Sequence, residues 1–458
     1  MGKQLGLYIH IPFCGSKCDY CDFYSLSGRT ERMDDYQKAL LTHIKETAPQ
    51  ARGYVVDTIY FGGGTPSCYG EKRVRELLSA IRRRFEVAGN AEITMEANPE
   101  SVDQKSMARL RRAGVNRISL GMQSAHDDEL AALHRPHTFE QVKEAVAAIR
   151  GARIKNLTLD LMYGLPGQDM ARWRDSVEQA IALQPQHISG YGLKVEEGTP
   201  LWARVARGET LPDDDAQADM YLWMVARLEA AGYRQYEISN FAQSGFQSRH
   251  NLKYWLTRPY LGFGPGAHSD FGGRRFSFLR NLDGYIDGVL GGKPILDSDD
   301  LIPKRERSGE YLMLRLRTTR GIEEWEYRRE YFMNFDPIEA KLAAPPHRLS
   351  PVQPAHRGAA GAPGERHPGD HPPPGPQDAA PGHGRRGLIH HPRAAGTGGA
   401  GVSNFFLTSA AAGAKRQVLP ASAVYKKGRA VLGYYLSWTG RSPAGPPVPG
   451  RRVPYHPR

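Results

Sequence analysis

Cys14, Cys18 and Cys21 stand within eight residues in the run YIHIPFCGSKCDYCDF, Tyr8 to Phe23, and account for three of the four cysteines in the chain. Three thiols at this spacing leave one over if two of them join, but together they can wrap a single metal centre. Two kinds of centre fit. A tetrahedral zinc ion needs a fourth ligand, and His10 on the incoming strand is the available neighbour. A four-iron four-sulfur cluster is usually held by four cysteines, so three leave one iron open to a small molecule, which points to chemistry and not to plain electron transfer. Cys68 has no partner in the sequence and reads as an incidental thiol.

Around this run, short β-rich segments alternate with helical patterns. GLYIHI leads to a helix over Met33 to Thr47, TIYFGG to Lys72 to Phe85, and EITMEA to Asp103 to Ala113. NRISLGM leads to Phe139 to Arg150, NLTLDLMYG to Ala171 to Leu183, and HISGYGL to a long helix over Asp213 to Ala231. Repeated βαβ units imply parallel strands with helices outside, and this count predicts an α/β fold built as an incomplete (β/α) TIM-type barrel. In such a fold the functional groups gather at the C-terminal ends of the strands. Gly62, Gly63, Gly64, Thr65 and Pro66 follow the second strand, where residues without Cβ atoms let backbone amides approach a ligand. Glu96 ends the third strand, Gln123 follows the fourth, Asp160 sits within the fifth, and Arg135 lies in the loop LHRPHT. Any one of these alone reads as ordinary surface polarity. Four at successive strand ends mark a ligand site, where a carboxylate holds sugar hydroxyls and an arginine holds a carboxylate.

CxxxCxxC after a short N-terminal strand resembles the radical S-adenosylmethionine (SAM) superfamily. The resemblance implies a four-iron four-sulfur cluster on Cys14, Cys18 and Cys21, whose open iron takes the amino and carboxylate groups of SAM. Placed one βα unit later, the glycine run resembles that superfamily's loop for the amino-acid part of SAM. ITMEANPES, GMQS, HRPHT and LDLMYGLPGQ resemble the oxygen-independent coproporphyrinogen oxidase group, which implies SAM contacts at Glu96, Gln123, Arg135 and Asp160, and also at Tyr8, Gly63, Gly64 and Thr65. Two features depart from the oxidase. Position 23 is Phe23 where the oxidase has a further cysteine, and the cluster strand begins within ten residues of Met1. The signature IPFCxxKCxYCDF is instead similar to the HemW-type haem chaperones, over Leu7 to about Leu342.

A further motif bears on that choice. His250, Asn251, Tyr254 and Trp255 match the HNxxYW run that the chaperone family associates with haem binding; by itself, a histidine beside tyrosine and tryptophan reads as a hydrogen-bonded edge of a core. The segment YLGFGPGAHSD lacks the acidic residue of a dinucleotide site and reads as a tight loop near the barrel mouth, lining the SAM site. The resemblance implies a haem chaperone, with haem, a haem-acceptor protein and an electron donor as partners. It also admits a homodimer. The alternative is an enzyme that decarboxylates coproporphyrinogen III with an adenosyl radical.

The formal charge of +12 suggests a nucleic-acid partner until it is located. Residues 343–458 hold 15 Lys and Arg against 3 Asp and Glu, so the body carries no net charge and no nucleic-acid partner is expected. The same segment has 19 Pro and 18 Gly, which defeat helices, and 8 of the 16 histidines. It reads as a disordered tail or as the out-of-frame reading of a GC-rich gene, with one run near Ser422 to Trp438 able to form a hairpin. The expected domains are a partial barrel over 1–275, the start of a helical domain over 276–342, opened by Tyr311, Leu312, Leu314 and Leu316, and the tail. PIEAKLA opens what should be a further helix. No signal peptide or transmembrane run is evident, and cysteines kept as thiols fit a cytoplasmic location.

Overall fold

The computed structural model describes residues 2–335 and, as backbone only, the strands Val424–Lys426 and Arg429–Val431. All of them fall within one compact unit. Those two strands pair antiparallel, at the place of the expected hairpin, and the second also pairs with Ile322–Glu323. The remainder of the expected tail, and the helix expected at PIEAKLA, lie outside the described residues.

Twelve strands form one mixed sheet. In chain order they are β1 (Lys3–Ile11), β2 (Tyr54–Gly63), β3 (Glu86–Ala97), β4 (Arg117–Gln123), β5 (Asn156–Tyr163), β6 (His187–Gly192), β7 (Arg234–Glu237), β8 (Asn240–Ala242), β9 (Tyr260–Phe263), β10 (His268–Phe271), β11 (Arg274–Phe278) and β12 (Leu296–Leu301). The spatial order is β12-β11-β10-β9-β1-β2-β3-β4-β5-β6-β8-β7. β9 and β1 to β6 run parallel, and the strands at both flanks are antiparallel, so the sheet keeps two edges and does not close. At one edge every residue of β12 is exposed, and Asp297, Asp299 and Asp300 discourage pairing with another chain.

The helices between the parallel strands are α1 (Met33–Thr47), α2 (Glu71–Arg84), α3 (Gln104–Ala113), α4 (Phe139–Gly151), α5 (Met170–Ala182) and α6 (Asp214–Ala230). Each lies within one residue of its expected bounds, and four of the six start on a side-chain cap. Asp103 accepts from the amides of Lys105 and Ser106 at the start of α3, Thr138 and Gln141 form a capping box on α4, and Asp169 and Asp213 cap α5 and α6. Among the described residues no helix is long and apolar enough to cross a membrane.

The two faces of the sheet differ in chemistry. Leu5, Leu7, Ile9 and Ile11 of β1 are fully buried and join the helix residues Tyr36, Leu40, Leu77 and Ile81 in one core. The alternate residues face the other way. Register places Tyr8 beside Tyr60, Thr94 and Arg117, then Glu96 beside Ser119, Thr158 and His187, and Gly121 beside Asp160 and Ser189. A parallel strand covered by helices on both faces reads as a continuous apolar run. Here the alternation in runs such as ISLGMQ and LTLDLM signals a polar inner face.

Two expectations are revised. YLGFGPGAHSD is not a loop: Tyr260–Phe263 is the seventh parallel strand, paired with β1, and Gly264 and Gly266, both with positive φ, turn it into β10. A four-residue strand flanked by glycines carries too little apolar period to be recognised. The boundary expected at residue 275 falls inside β11, which continues the same sheet. Helices Lys304–Arg315 and Glu324–Tyr331 follow, around a separate small core of Tyr311, Ile322, Tyr327, Tyr331 and Phe335.

Candidate functional site

Because β1 to β6 are parallel, their C-terminal ends share one rim, and the cysteine run leaves from it directly after Ile11. Phe13–Cys14 pairs with Leu26–Ser27, which closes the run into a loop. All three thiols are free. Thr65 Oγ1 donates to Cys14 Sγ at 3.4 Å, and Arg135 Nη1 donates to Cys18 Sγ at 3.3 Å. Burial raises the Cys14 thiol and pushes Cys21 up to about 11, and the neighbouring thiols add to both shifts. Ionising Cys14 and Cys21 is therefore unfavourable until a cation joins them.

A single zinc ion would need a fourth ligand beside the three thiols, and the neighbour that could supply it is engaged elsewhere. His10 Nε2 donates to the Tyr24 carbonyl at 2.8 Å and Nδ1 lies 3.0 Å from the Tyr8 hydroxyl, so both ring nitrogens are occupied. Burial holds the imidazole neutral, lowered to about 4. Three free thiols without a fourth protein ligand are the donor set of a four-iron four-sulfur cluster with one open iron. Cys68, read as incidental, lies beside this loop: a Cβ on Gly15 would stand 4.0 Å from its sulfur.

The glycine run presses against the loop. The Gly64 and Thr65 amides donate to the carbonyls of Ile11 and Phe13 at 2.8 Å each, and a Cβ on Gly64 would come 2.8 Å from the Phe13 carbonyl and 3.0 Å from Cys14 Sγ. Gly63 has φ +117, where a side chain is strained, and its amide donates to Glu96 Oε2 at 3.1 Å. The other Glu96 oxygen accepts from the Tyr60 hydroxyl at 2.7 Å. Burial, with the Asp160 charge nearby, raises Glu96 from 4.5 to about 7, against the Tyr60 and Gly63 hydrogen bonds that favour the carboxylate.

Asp160 is raised by burial as well, and accepts from Ser119 Oγ at 2.9 Å. Arg135 also donates to Asn98 Oδ1 at 2.9 Å and to the Gly121 carbonyl at 3.2 Å, while its buried Nε has no partner. Burial opposes the Arg135 charge, but Tyr20 and Cys18 beside it raise its pKa. Gln123 is buried at the end of β4 with φ +63, a conformation non-glycine residues adopt sparingly. Gly63, Gly64, Thr65, Glu96 and Arg135 thus stand at the strand ends beside the cysteine loop; by register Asp160 lies two residues nearer the strand ends than Glu96, and Tyr8 two residues deeper. Two carboxyl groups raised by burial, an arginine with an orphaned N–H and a cradle that a Cβ would fill fit a ligand with cationic, carboxylate and hydroxyl groups such as SAM.

Sequence reasoning missed Asn98 and Tyr60. Asn98 Nδ2 donates to Thr65 Oγ1 at 3.2 Å, so this side chain ties the glycine loop to Arg135. Its position two residues after Glu96 was the available signal, since i and i+2 share a strand face.

The HNxxYW run forms the short helix α7 (Arg249–Trp255), capped by Ser248. α7 lies against the inner face of β1 and β2: a Cβ on Gly6 would meet Lys253 Cδ at 2.8 Å and His250 Cε1 at 3.3 Å. His250 is fully buried. Its Nδ1 lies 2.8 Å from Thr58 Oγ1 and its Nε2 2.9 Å from the Tyr254 hydroxyl, so neither nitrogen is open to an iron. Burial and the Lys253 charge lower it to about 3. Asn251, Tyr254 and Trp255 are partly buried; Trp255 Nε1 has no partner, and the Arg317 guanidinium covers its ring at 4.5 Å.

A radical SAM superfamily profile matches residues 8–180. The curated haem chaperone HemW of Bacillus subtilis is 36% identical over 332 residues, 72% of this chain and 87% of that protein. The haem chaperone HemW of Escherichia coli is 40% identical over 320 residues, 68% of this chain and 82% of that protein. Among solved structures, the coproporphyrinogen III oxidase HemN from Escherichia coli, a radical SAM enzyme, superposes with a TM-score of 0.66 at 22% identity, covering 75% of this chain and 83% of that one. The shared architecture is that of a radical SAM α/β fold.

Proposed function

The chain belongs to the HemW family within the radical SAM superfamily, and on that premise we propose that it is a haem chaperone, one that binds haem and a SAM-ligated four-iron four-sulfur cluster and passes haem to an acceptor protein. Cys14, Cys18 and Cys21 hold the cluster. Tyr8, Gly63, Gly64, Thr65, Glu96, Gln123, Arg135 and Asp160 hold SAM, with the Glu96 carboxylate on ribose hydroxyls and Arg135 as the fixed positive charge beside Cys18. When bound, the cluster supplies an electron to the sulfonium of SAM. The residues bind and orient: Tyr60 and the Gly63 amide aim Glu96, while Asn98 aims Arg135 and Thr65. For haem, the HNxxYW run offers the partly exposed Asn251, Tyr254 and Trp255, whereas His250 would have to leave Thr58 and Tyr254 to reach an iron. An electron donor for the cluster, a cytoplasmic location and a homodimer complete the proposal.

The observation that carries the chaperone reading is 36–40% identity to two HemW proteins over more than four-fifths of their length. The likeness to the oxidase, at 22% identity, supports the fold alone. The test is haem titration of the anaerobically reconstituted protein by visible spectroscopy, beside a SAM assay supplied with coproporphyrinogen III. Saturable haem binding without porphyrinogen product supports the chaperone; product without haem binding makes the protein an oxidase despite Phe23.

A further inference from the structure

α7 is anchored to the two strands that carry the glycine run and Glu96. On β2, Asp57 pairs with Lys253 at 2.6 Å and Thr58 with His250 at 2.8 Å. On β3, Glu92 accepts from the amides of Arg249 and His250 at 3.1 and 3.0 Å, a carboxylate at a helix start. The His250 ring is held by two hydrogen bonds in one orientation, and in it the imidazole stacks on Tyr60, with centroids 5.1 Å apart and planes at 24°. Tyr60 also stacks with Tyr8, at 6.2 Å and 26°, and its hydroxyl reaches Glu96 at 2.7 Å. One column of contacts therefore runs from α7 to the strand-end rim: Thr58 and Tyr254 to His250, His250 to Tyr60, Tyr60 to Glu96.

We infer that His250 is a positioning residue for the Glu96 carboxylate, acting through Tyr60, and is not an axial ligand to haem iron. The inference rests on the reading of Glu96 as a SAM contact. A neutral imidazole locked between Thr58 and Tyr254 is a rigid flat wall, and the phenol stacked on it has little freedom to swing its hydroxyl off Glu96. An axial ligand needs one ring nitrogen free, and here both are engaged in a site with no solvent access. Removing the wall lets Tyr60 tilt, so Glu96 loses a donor that favours its ionised form.

The test uses the full chain, anaerobically reconstituted, with SAM affinity measured by calorimetry between pH 6 and 8.5 and haem affinity measured by visible titration. The variants are His250→Ala, His250→Gln, Tyr60→Phe and the double variant His250→Ala with Tyr60→Phe. His250→Ala is expected to weaken SAM binding about three- to tenfold, the scale of one misaligned hydrogen bond. The double variant should bind SAM no worse than Tyr60→Phe alone, because the two residues act through one contact. The pH midpoint of SAM binding should also rise in His250→Ala and Tyr60→Phe alike, by about half a unit to one unit. The other groups facing Glu96, namely Tyr8, Asp160, Tyr254 and the Gly63 amide, remain in both variants. A purely structural role for His250 would lower the melting temperature without moving that midpoint, which would overturn the inference. Haem affinity lost while SAM affinity and its midpoint stay in place would overturn it too, and would make His250 the haem ligand. His250→Gln keeps a hydrogen-bonding side chain and should restore part of the SAM affinity; it also decides the matter if His250→Ala does not fold. A wild-type protein that binds no SAM overturns the functional reading itself, and the inference with it.

Discussion

Glu96 makes ligand binding at the strand ends depend on pH within the neutral range. Burial raises its carboxyl from 4.5 to about 7, with Asp160 adding to the shift. Moving a carboxyl that far corresponds to about 3 kcal/mol, an upper limit because the side chain is partly open to solvent. The folded state without ligand holds this proton more tightly than the unfolded chain does. Its contribution to stability is full below pH 4.5 and is lost as pH rises through about 7. A ligand that brings a positive charge and hydroxyl donors needs the carboxylate, so its affinity moves the other way. The ionised fraction rises about tenfold between pH 6 and pH 8 for a group that titrates near 7, and the affinity for SAM should rise by about the same factor. Calorimetric titration of the reconstituted protein across that range measures it, and Glu96→Gln should flatten the profile at a weakened affinity. A wild-type profile that is flat from pH 6 to pH 8 would refute the reasoning, since it would mean that Glu96 is ionised throughout or does not touch the ligand.

Other expectations follow from single contacts. Gly64→Ala sets a Cβ 2.8 Å from the Phe13 carbonyl and 3.0 Å from Cys14 Sγ, and should lower the iron retained per chain after reconstitution; full iron content with an unchanged melting temperature would count against the packing described. Overpacking of this kind typically costs about 1–3 kcal/mol. Arg135→Met removes the partly buried cation between Cys18 and Asn98 and should destabilise the chain by about 1–3 kcal/mol in urea unfolding, the cost of stranded acceptors, with Arg135→Lys recovering only part, because an ammonium lacks the planar fork that reaches both partners. Glu326→Gln leaves the fully buried Arg315 without its counter-charge, along with the Arg258 and Arg320 contacts, and should cost about 3–5 kcal/mol. A melting temperature within a degree or so of wild type would show that this C-terminal ion cluster is solvated.

The parallel core was legible because its signals are local. Period-2 runs, capping residues such as Asp103 and Thr138, and the glycines after β2 each act within a few positions, so the strands and helices of the six βα units fall where the pattern puts them. β9 escaped because its four residues earn their place only through pairing with β1, some 250 positions earlier in the chain. The same cause hid the sheet continuing past residue 275 into β11 and β12, where antiparallel partners decide the architecture.

The site divides along the same line, and the division explains why His250 reads one way in sequence and another in space. A motif names residue types, and imidazole beside aromatic rings is equally suited to an iron or to a hydrogen-bonded wall. What separates the two is whether a ring nitrogen is left over, and that is settled by Thr58, 192 positions away, and by Tyr254 within the same helix. Gly6 supplies the remaining condition. A Cβ there would stand 2.8 Å from Lys253 Cδ and 3.3 Å from His250 Cε1, so Lys253, which is tied to Asp57, would have to shift and His250 would be crowded. A Gly6→Ala substitution should therefore displace the Lys253 and His250 side chains, loosen Tyr60 and weaken SAM binding at a distance from every SAM contact. The same affinity in Gly6→Ala as in wild type would mean that α7 does not support the strand-end rim.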